Sequence, residues 1–129
     1  MSIKMGLITK KLKVMGDKGE REINCLFDSG ASVSFIRKDI QETLATPFSL
    51  LESISFQLGD GKGRVEANEE VLLWIKLPEG KIFDHVVIVP QLAEEMIIGA
   101  KTLQVWKIKL DFEHDDIIVD KKALELKLI

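Results

Sequence analysis

Cys25-Leu26-Phe27-Asp28-Ser29-Gly30-Ala31-Ser32 is the stretch that decides how this chain is read. An apolar run delivers a carboxylate, and a small hydroxyl residue and a glycine follow at once. An aspartate leaving the end of a buried strand is partly shielded from water. Gly30 permits close backbone approach and positive φ in the turn that follows, and the Ser29 hydroxyl is available to hold that turn. Taken alone, Asp-Ser-Gly describes an ordinary β-turn as well as it describes a catalytic loop. The surrounding chain has to choose between them.

Working outward, the periodicity is that of strands. Ile3, Met5, Leu7 and Ile8 lead to Leu12 and Val14, turn residues occupy Met15 to Glu20, and Ile23 to Phe27 resume the apolar pattern, which predicts a hairpin. Ile36, Ile40 and Leu44 recur at helical spacing and Thr46-Pro47 stops them, so a short helix is expected over Ile36 to Leu44. Ile54, Phe56 and Leu58 alternate inward before a glycine-rich tip, Gly59-Asp60-Gly61-Lys62-Gly63, and Val65 starts a return strand. Val71 to Leu77 and Ile82 to Val89 are β-rich runs joined by a Pro78-Glu79-Gly80-Lys81 turn. A helical turn around Ala100 to Leu103, a strand-like Val105 to Phe112, a polar turn at Glu113 to Asp116 and a strand over Ile117 to Val119 follow. The tail, Ala123 to Ile129, alternates as a half-buried strand would.

Composition bounds the function. The chain has 129 residues, 46% of them apolar and 30% charged, which fits one soluble domain spanning 1–129. Eighteen basic and 21 acidic residues are spread along the chain for a net charge of -3, so no basic face for a phosphate backbone stands out and nucleic acid is not expected as a partner. Cys25 is the only cysteine, so no intrachain disulfide forms, and no Cys/His spacing suits a zinc site; no metal or cofactor is expected. A reducing, cytoplasmic compartment follows from the same count. No apolar run approaches the ~18–20 residues of a membrane span, so no membrane partner is expected.

The order of features resembles the retropepsins, the small aspartic proteases of retroviruses and their cellular relatives. In that family a hydrophobic-hydrophobic-Asp-Ser/Thr-Gly-Ala motif precedes a glycine-rich flap hairpin, and a hydrophobic-hydrophobic-Gly motif then opens a short helix. Here these are Leu26-Phe27-Asp28-Ser29-Gly30-Ala31, the tip Gly59 to Gly63, and Ile97-Ile98-Gly99 leading into Ala100 to Leu103. The resemblance spans Ile23 to Phe112. It implies a mostly-β, single-domain closed barrel with one or two short helices, working as a homodimer on protein or peptide substrates. Asp28 is then the catalytic residue. Ser29, Gly30 and Ala31 form its loop, Gly59, Asp60, Gly61, Lys62 and Gly63 the flap, and Phe27, Ile97 and Ile98 the substrate pocket. Ile54, Phe56 and Val87 add to an apolar set of subsites.

Two departures accompany the likeness. Many viral members carry an Arg after the second glycine and an acidic partner just past the first motif, where this chain has Ala100 and Ser32. The chain is also longer, with additions at both ends and around residues 37 to 53, which implies a different dimer seam.

This chemistry needs two carboxylates about one water, and the chain offers one Asp-Ser-Gly. Two chains must therefore meet with their Asp28 side chains about 3 Å apart, sharing a proton. Ser29 is expected to lock the two active-site loops together. Trp74 and Trp106 read as core or interface aromatics, His85 and His114 as structural, and Cys25 as a buried thiol. The competing readings are a retropepsin fold that no longer cuts and serves as a dimerisation or peptide-binding module, and an unrelated β-barrel binding domain.

Overall fold

The computed structural model describes residues 7–57 and 63–128, with side chains through 125. Strands β1 (Leu7–Gly16) and β2 (Gly19–Asp28) form the expected hairpin, with Leu7 opposite Asp28 and Gly16 opposite Gly19. Ile23, Cys25 and Phe27 alternate into the core while Glu22 and Asn24 face out. The hairpin tip is tied to the chain that follows the first helix. Asp17 accepts from the Thr46 backbone N–H and hydroxyl, both at 2.7 Å. The Thr46 hydroxyl, ahead of its N–H, holds the Asp17 carboxyl below the usual carboxylate range.

The segment after the Asp28 loop begins as strand β3 (Phe35–Arg37), and helix α1 (Lys38–Leu44) starts two residues later than its periodicity suggests. The reason is tertiary. Phe35 to Arg37 are claimed by ladders on both sides, parallel to β6 (Gly80–Val89) and antiparallel to β7 (Met96–Ile98). Strands β4 (Phe48–Gln57) and β5 (Arg64–Leu77) pair antiparallel, and β5 returns along β6 with Leu77 opposite Gly80. A register shift between Ser49 and Ile54 bulges β4 and leaves Leu51 wholly exposed.

Seven strands run in the order β1-β2-β7-β3-β6-β5-β4, and a further β1–β5 pairing at Lys13 to Met15 closes the first six into a barrel. Closure removes the edges that an open sheet would present. Val14, Val71, Leu73, Ile75, Ile82, Met96 and Ile98 fill the interior. A second, smaller cluster of Ala67, Val87, Val89 and Leu92 lies on the other face of β6, against Phe35, Phe56, Val65 and Ile97. Val86 to Val89 are consecutively buried because both faces of β6 are covered there.

The C-terminal third departs from the expected strands in two places. Val105 ends helix α2 (Ala100–Val105) instead of starting a strand; the chain turns through Lys107 at φ 55, and only Lys109–Asp111 forms strand β8, paired with β9 (Asp116–Ile118). The tail forms helix α3 (Lys121–Leu128), the third helix where one or two were expected. Asp120 explains it: its side chain accepts from the Lys122 N–H at 2.9 Å and its carbonyl from the Ala123 N–H at 3.0 Å, ahead of a run of strong helix formers. Leu124, 1% exposed, drops onto β6 at Gly80, where φ is 157° and an added Cβ would lie 3.2 Å from the Leu124 side chain. No helix among the described residues is long and apolar enough to cross a membrane.

If α3 is an integral cap, Leu124→Ala empties a buried leucine site and destabilises the protein by about 2–5 kcal/mol in denaturant titration. A loss under about 0.5 kcal/mol contradicts this docking.

Candidate active site

Asp28 is the last residue of β2 and is half-buried. Its Oδ1 accepts the Gly30 N–H at 2.8 Å, and its carbonyl accepts the Ala31 N–H at 3.2 Å, so the carboxylate and its own loop are mutually fixed. The loop is also held from outside. Strand β7 runs parallel to β2 with Phe27 opposite Ile98, and antiparallel to β3 with Phe35 opposite Ile97, so it passes between the two arms of the loop. At the crossing Gly99 N–H donates to Ser34 Oγ at 3.1 Å, Ala100 N–H to the Ala31 carbonyl at 2.7 Å and Lys101 N–H to the Ser32 carbonyl at 3.2 Å. A Cβ on Gly99 would sit 2.3 Å from the Val33 carbonyl oxygen, so only glycine fits. At Ser32 and Ala100, where the sequence departs from the retropepsin pattern, the two segments are joined through backbone bonds.

Beside Asp28 lies a cavity of about 220 Å³ lined by Gly30, Ala31, Ser32, Phe35, Phe56, Gln57, Val65, Leu92 and Ile97. Asp28 is the only acidic side chain lining it among the described residues. The arrangement offers one oriented carboxylate at the mouth of an apolar trough, with no cationic or metal-ligating neighbour among the described residues of the wall.

Strand alternation sorts the expected pocket residues. Ile97 lines the cavity, whereas Phe27 and Ile98, both 0% exposed, point into the main core on the opposite face. Phe35, Val65 and Leu92 supply the wall in their place, and Phe56 lines it as the apolar pattern suggests. Ile54 is exposed, not inward. Ser29 is exposed at the loop tip. Of the expected flap, Gly59, Asp60, Gly61 and Lys62 lie outside the described residues, and Gly63 is half-buried just before β5.

Sequence spacing gave no sign of the polar chain beneath this loop. Ser34 and Thr102 hydroxyls meet at 2.9 Å, and Thr102 donates to Asp84 on β6. These residues stand 68 and 18 positions apart. Trp106 is buried and its Nε1–H donates to the Phe83 carbonyl at 3.2 Å; Trp74 is partly exposed, its ring 5.1 Å from that of Phe83. Asp111, Glu113 and His114 bring ligand atoms within 4.8 Å on a surface turn. The 2.7 Å His114–Asp111 hydrogen bond accounts for that proximity, and it holds the Asp111 carboxyl below its ordinary value.

Cys25 is fully buried, and burial, with the nearby Glu95 charge adding to it, pushes its thiol up to about 12. It is therefore protonated and unreactive at neutral pH. Because the folded value lies above the ordinary 9.0, the unfolded chain gives up this proton first as pH rises. Stability falls by up to about 1.4 kcal/mol per pH unit through that window, on top of other groups' effects. Cys25→Ala should remove that component of the slope above pH 9, and native protein should resist iodoacetamide at pH 8. A second prediction concerns the crossing: Gly99→Ala should cost about 1–3 kcal/mol by overpacking against backbone, measured by thermal or chemical unfolding. Unchanged stability would contradict the contact.

No family model matches the chain and no curated protein matches its sequence. Solved structures do. The retroviral protease-like domain of Ddi1 from Leishmania major superposes with a TM-score of 0.59 at 14% identity, covering 94% of this chain and 90% of that one. The EIAV protease complexed with the inhibitor HBY-793 superposes with a TM-score of 0.58 at 19% identity, covering 86% of this chain and 98% of that one. With a six-stranded closed barrel, a threaded Asp-Ser-Gly loop and a short helix after Gly99, this chain has the retropepsin-like fold.

Proposed function

We propose that the chain is one half of an aspartic endopeptidase, a homodimer whose single active site joins Asp28 to Asp28 of a second copy. The observation that carries this reading is the held carboxylate: Asp28 is fixed by the Gly30 N–H at 2.8 Å beside an apolar cavity with no second acid among the described residues of its wall. An isolated carboxylate at a turn has no use for an apolar trough and a loop braced by a passing strand. Half of a symmetric dyad needs both. That a fold neighbour, EIAV protease, is complexed with an inhibitor is consistent in kind.

In this mechanism the two Asp28 carboxyls flank one water and share one proton, since like charges at about 3 Å cannot both ionise. The ionised member takes a proton from the water as its oxygen attacks the scissile carbonyl carbon. The protonated member hydrogen-bonds the carbonyl oxygen and stabilises the oxyanion of the tetrahedral adduct. Protonation of the leaving amine then breaks the C–N bond and releases acid and amine. No metal or cofactor enters these steps. The hairpin β4–β5, whose tip carries the expected flap glycines, serves to cover the bound peptide and exclude water. Phe35, Phe56, Val65, Leu92 and Ile97 favour apolar side chains next to the cut bond.

Asp28→Asn keeps the size of the side chain and its acceptor for Gly30 while removing the base and the shared proton. Peptide cleavage should fall by orders of magnitude with the fold intact. Because the site is built from two chains, mixing is the sharper test. At fixed total concentration, with subunits exchanging freely, activity should fall as the square of the wild-type fraction when Asp28→Asn chain is added. A linear fall means that each chain carries its own complete site. Activity retained by the pure variant means that Asp28 is not the catalytic acid.

A further inference from the structure

A second, larger concavity opens on the other side of Phe56. It measures about 480 Å³ and is lined by Val33, Ile54, Phe83, Val87, Val105 and Trp106, with Ser34, Asp84 and Thr102 among its polar groups. That volume falls within the usual range for ligand sites, ~300–1,000 Å³. Phe56 lines both cavities, and the adjacent residues Ser32 and Val33 divide between them, Ser32 on the Asp28 side and Val33 on this one. An extended chain lying past Asp28 and over Phe56 therefore runs into it.

The hydrogen-bonded chain from Gly99 through Ser34 and Thr102 to Asp84 donates in one direction. Gly99 N–H donates to Ser34, whose Oγ pairs with Thr102, and Thr102 spends its one hydroxyl proton on Asp84, so Ser34 is the donor of that pair. Trp106 spends its N–H on the Phe83 carbonyl. The chain of donors ends on the Asp84 carboxylate, which only accepts. Glu70, 3.5 Å from His85, adds a second carboxylate to the lining, and Phe56, Phe83 and Trp106 add aromatic rings, a side-chain class that attracts cations. Among the described residues Lys101, exposed, is the one lysine or arginine lining the cavity, and His85 lines it beside Glu70.

We infer that this cavity is a distal subsite for a basic side chain, an arginine or lysine of the substrate several residues from the cut bond, held by Asp84 and the aromatic wall. The inference rests on the peptidase reading, and the acceptor-only chain adds the charge preference to it. Lys101 opposes the cation and sets how strong the preference is.

The test uses the full chain carrying Asp28→Asn, so that peptide is bound and not cut, followed by NMR of the backbone amides. Peptides with a central apolar pair carry arginine at each outer position in turn, against citrulline, which has the same shape without the charge. At one position arginine should bind at least about tenfold tighter than citrulline, as expected for hydrogen bonds to a charged group. Adding Asp84→Asn should erase the difference, and adding Lys101→Ala on the exposed rim should enlarge it. Arginine and citrulline binding alike at every position overturns the inference. If no peptide binds, the cleft reading itself fails, and phenethylamine alone decides the cavity. Saturable shifts at Phe83, Asp84 and Thr102 that vanish in Asp84→Asn uphold a cation site, and no shifts, or shifts unchanged in that variant, overturn it.

Discussion

The structure turns on the place where Gly99 passes behind the loop 28–34. Strand β7 must sit between β2 and β3 to pair with both, and the chain can leave that slot only if nothing projects from Gly99 toward the Val33 carbonyl 2.3 Å from its missing Cβ. Three hydrogen bonds then reach across to Ser34, Ala31 and Ser32. All three donors are backbone N–H groups, and two of the acceptors are backbone carbonyls, so the loop that carries Asp28 is positioned without a charged pair at Ser32 and Ala100. Burying those N–H groups unpaired would cost about 1–3 kcal/mol each, which makes the crossing all-or-none.

From that crossing follows the division of labour between the two faces of the strands. Residues alternating toward the barrel interior, Phe27 and Ile98 among them, hold the fold together. Their neighbours on the other face, Ile97 and Phe35, line the trough beside Asp28. A single β7 of three residues thus serves stability with one face and the candidate site with the other. The same logic places Asp84 and Thr102 under the loop: they fill the polar gap between α2 and β6 and end at Ser34, which holds Gly99.

Much of this was legible in the sequence because it is local. The Asp-Ser-Gly turn, the first hairpin, the β5–β6 hairpin and the apolar-apolar-Gly step into α2 each depend on neighbours within a few positions. What was not legible depends on partners far along the chain. Ile36 and Arg37 fall within the stretch whose apolar spacing fits a helix, and two distant ladders make them, with Phe35, a strand. Which face of β2 and β7 meets the trough could not be read from alternation alone, because both faces are apolar at Leu26, Phe27, Ile97 and Ile98. The tail is a different case. Its Leu-Glu-Leu-Lys-Leu alternation imitates a strand, but Asp120 and the helix-forming composition behind it carried the better signal.

The central claim is that one active site is shared by two chains, and inhibitor stoichiometry addresses it without reference to turnover. Titration calorimetry with a pepstatin-type inhibitor counts sites per chain directly. The account predicts saturation at one inhibitor per two chains, with no binding to the Asp28→Asn protein. One inhibitor per chain, or equal binding to that variant, would contradict it.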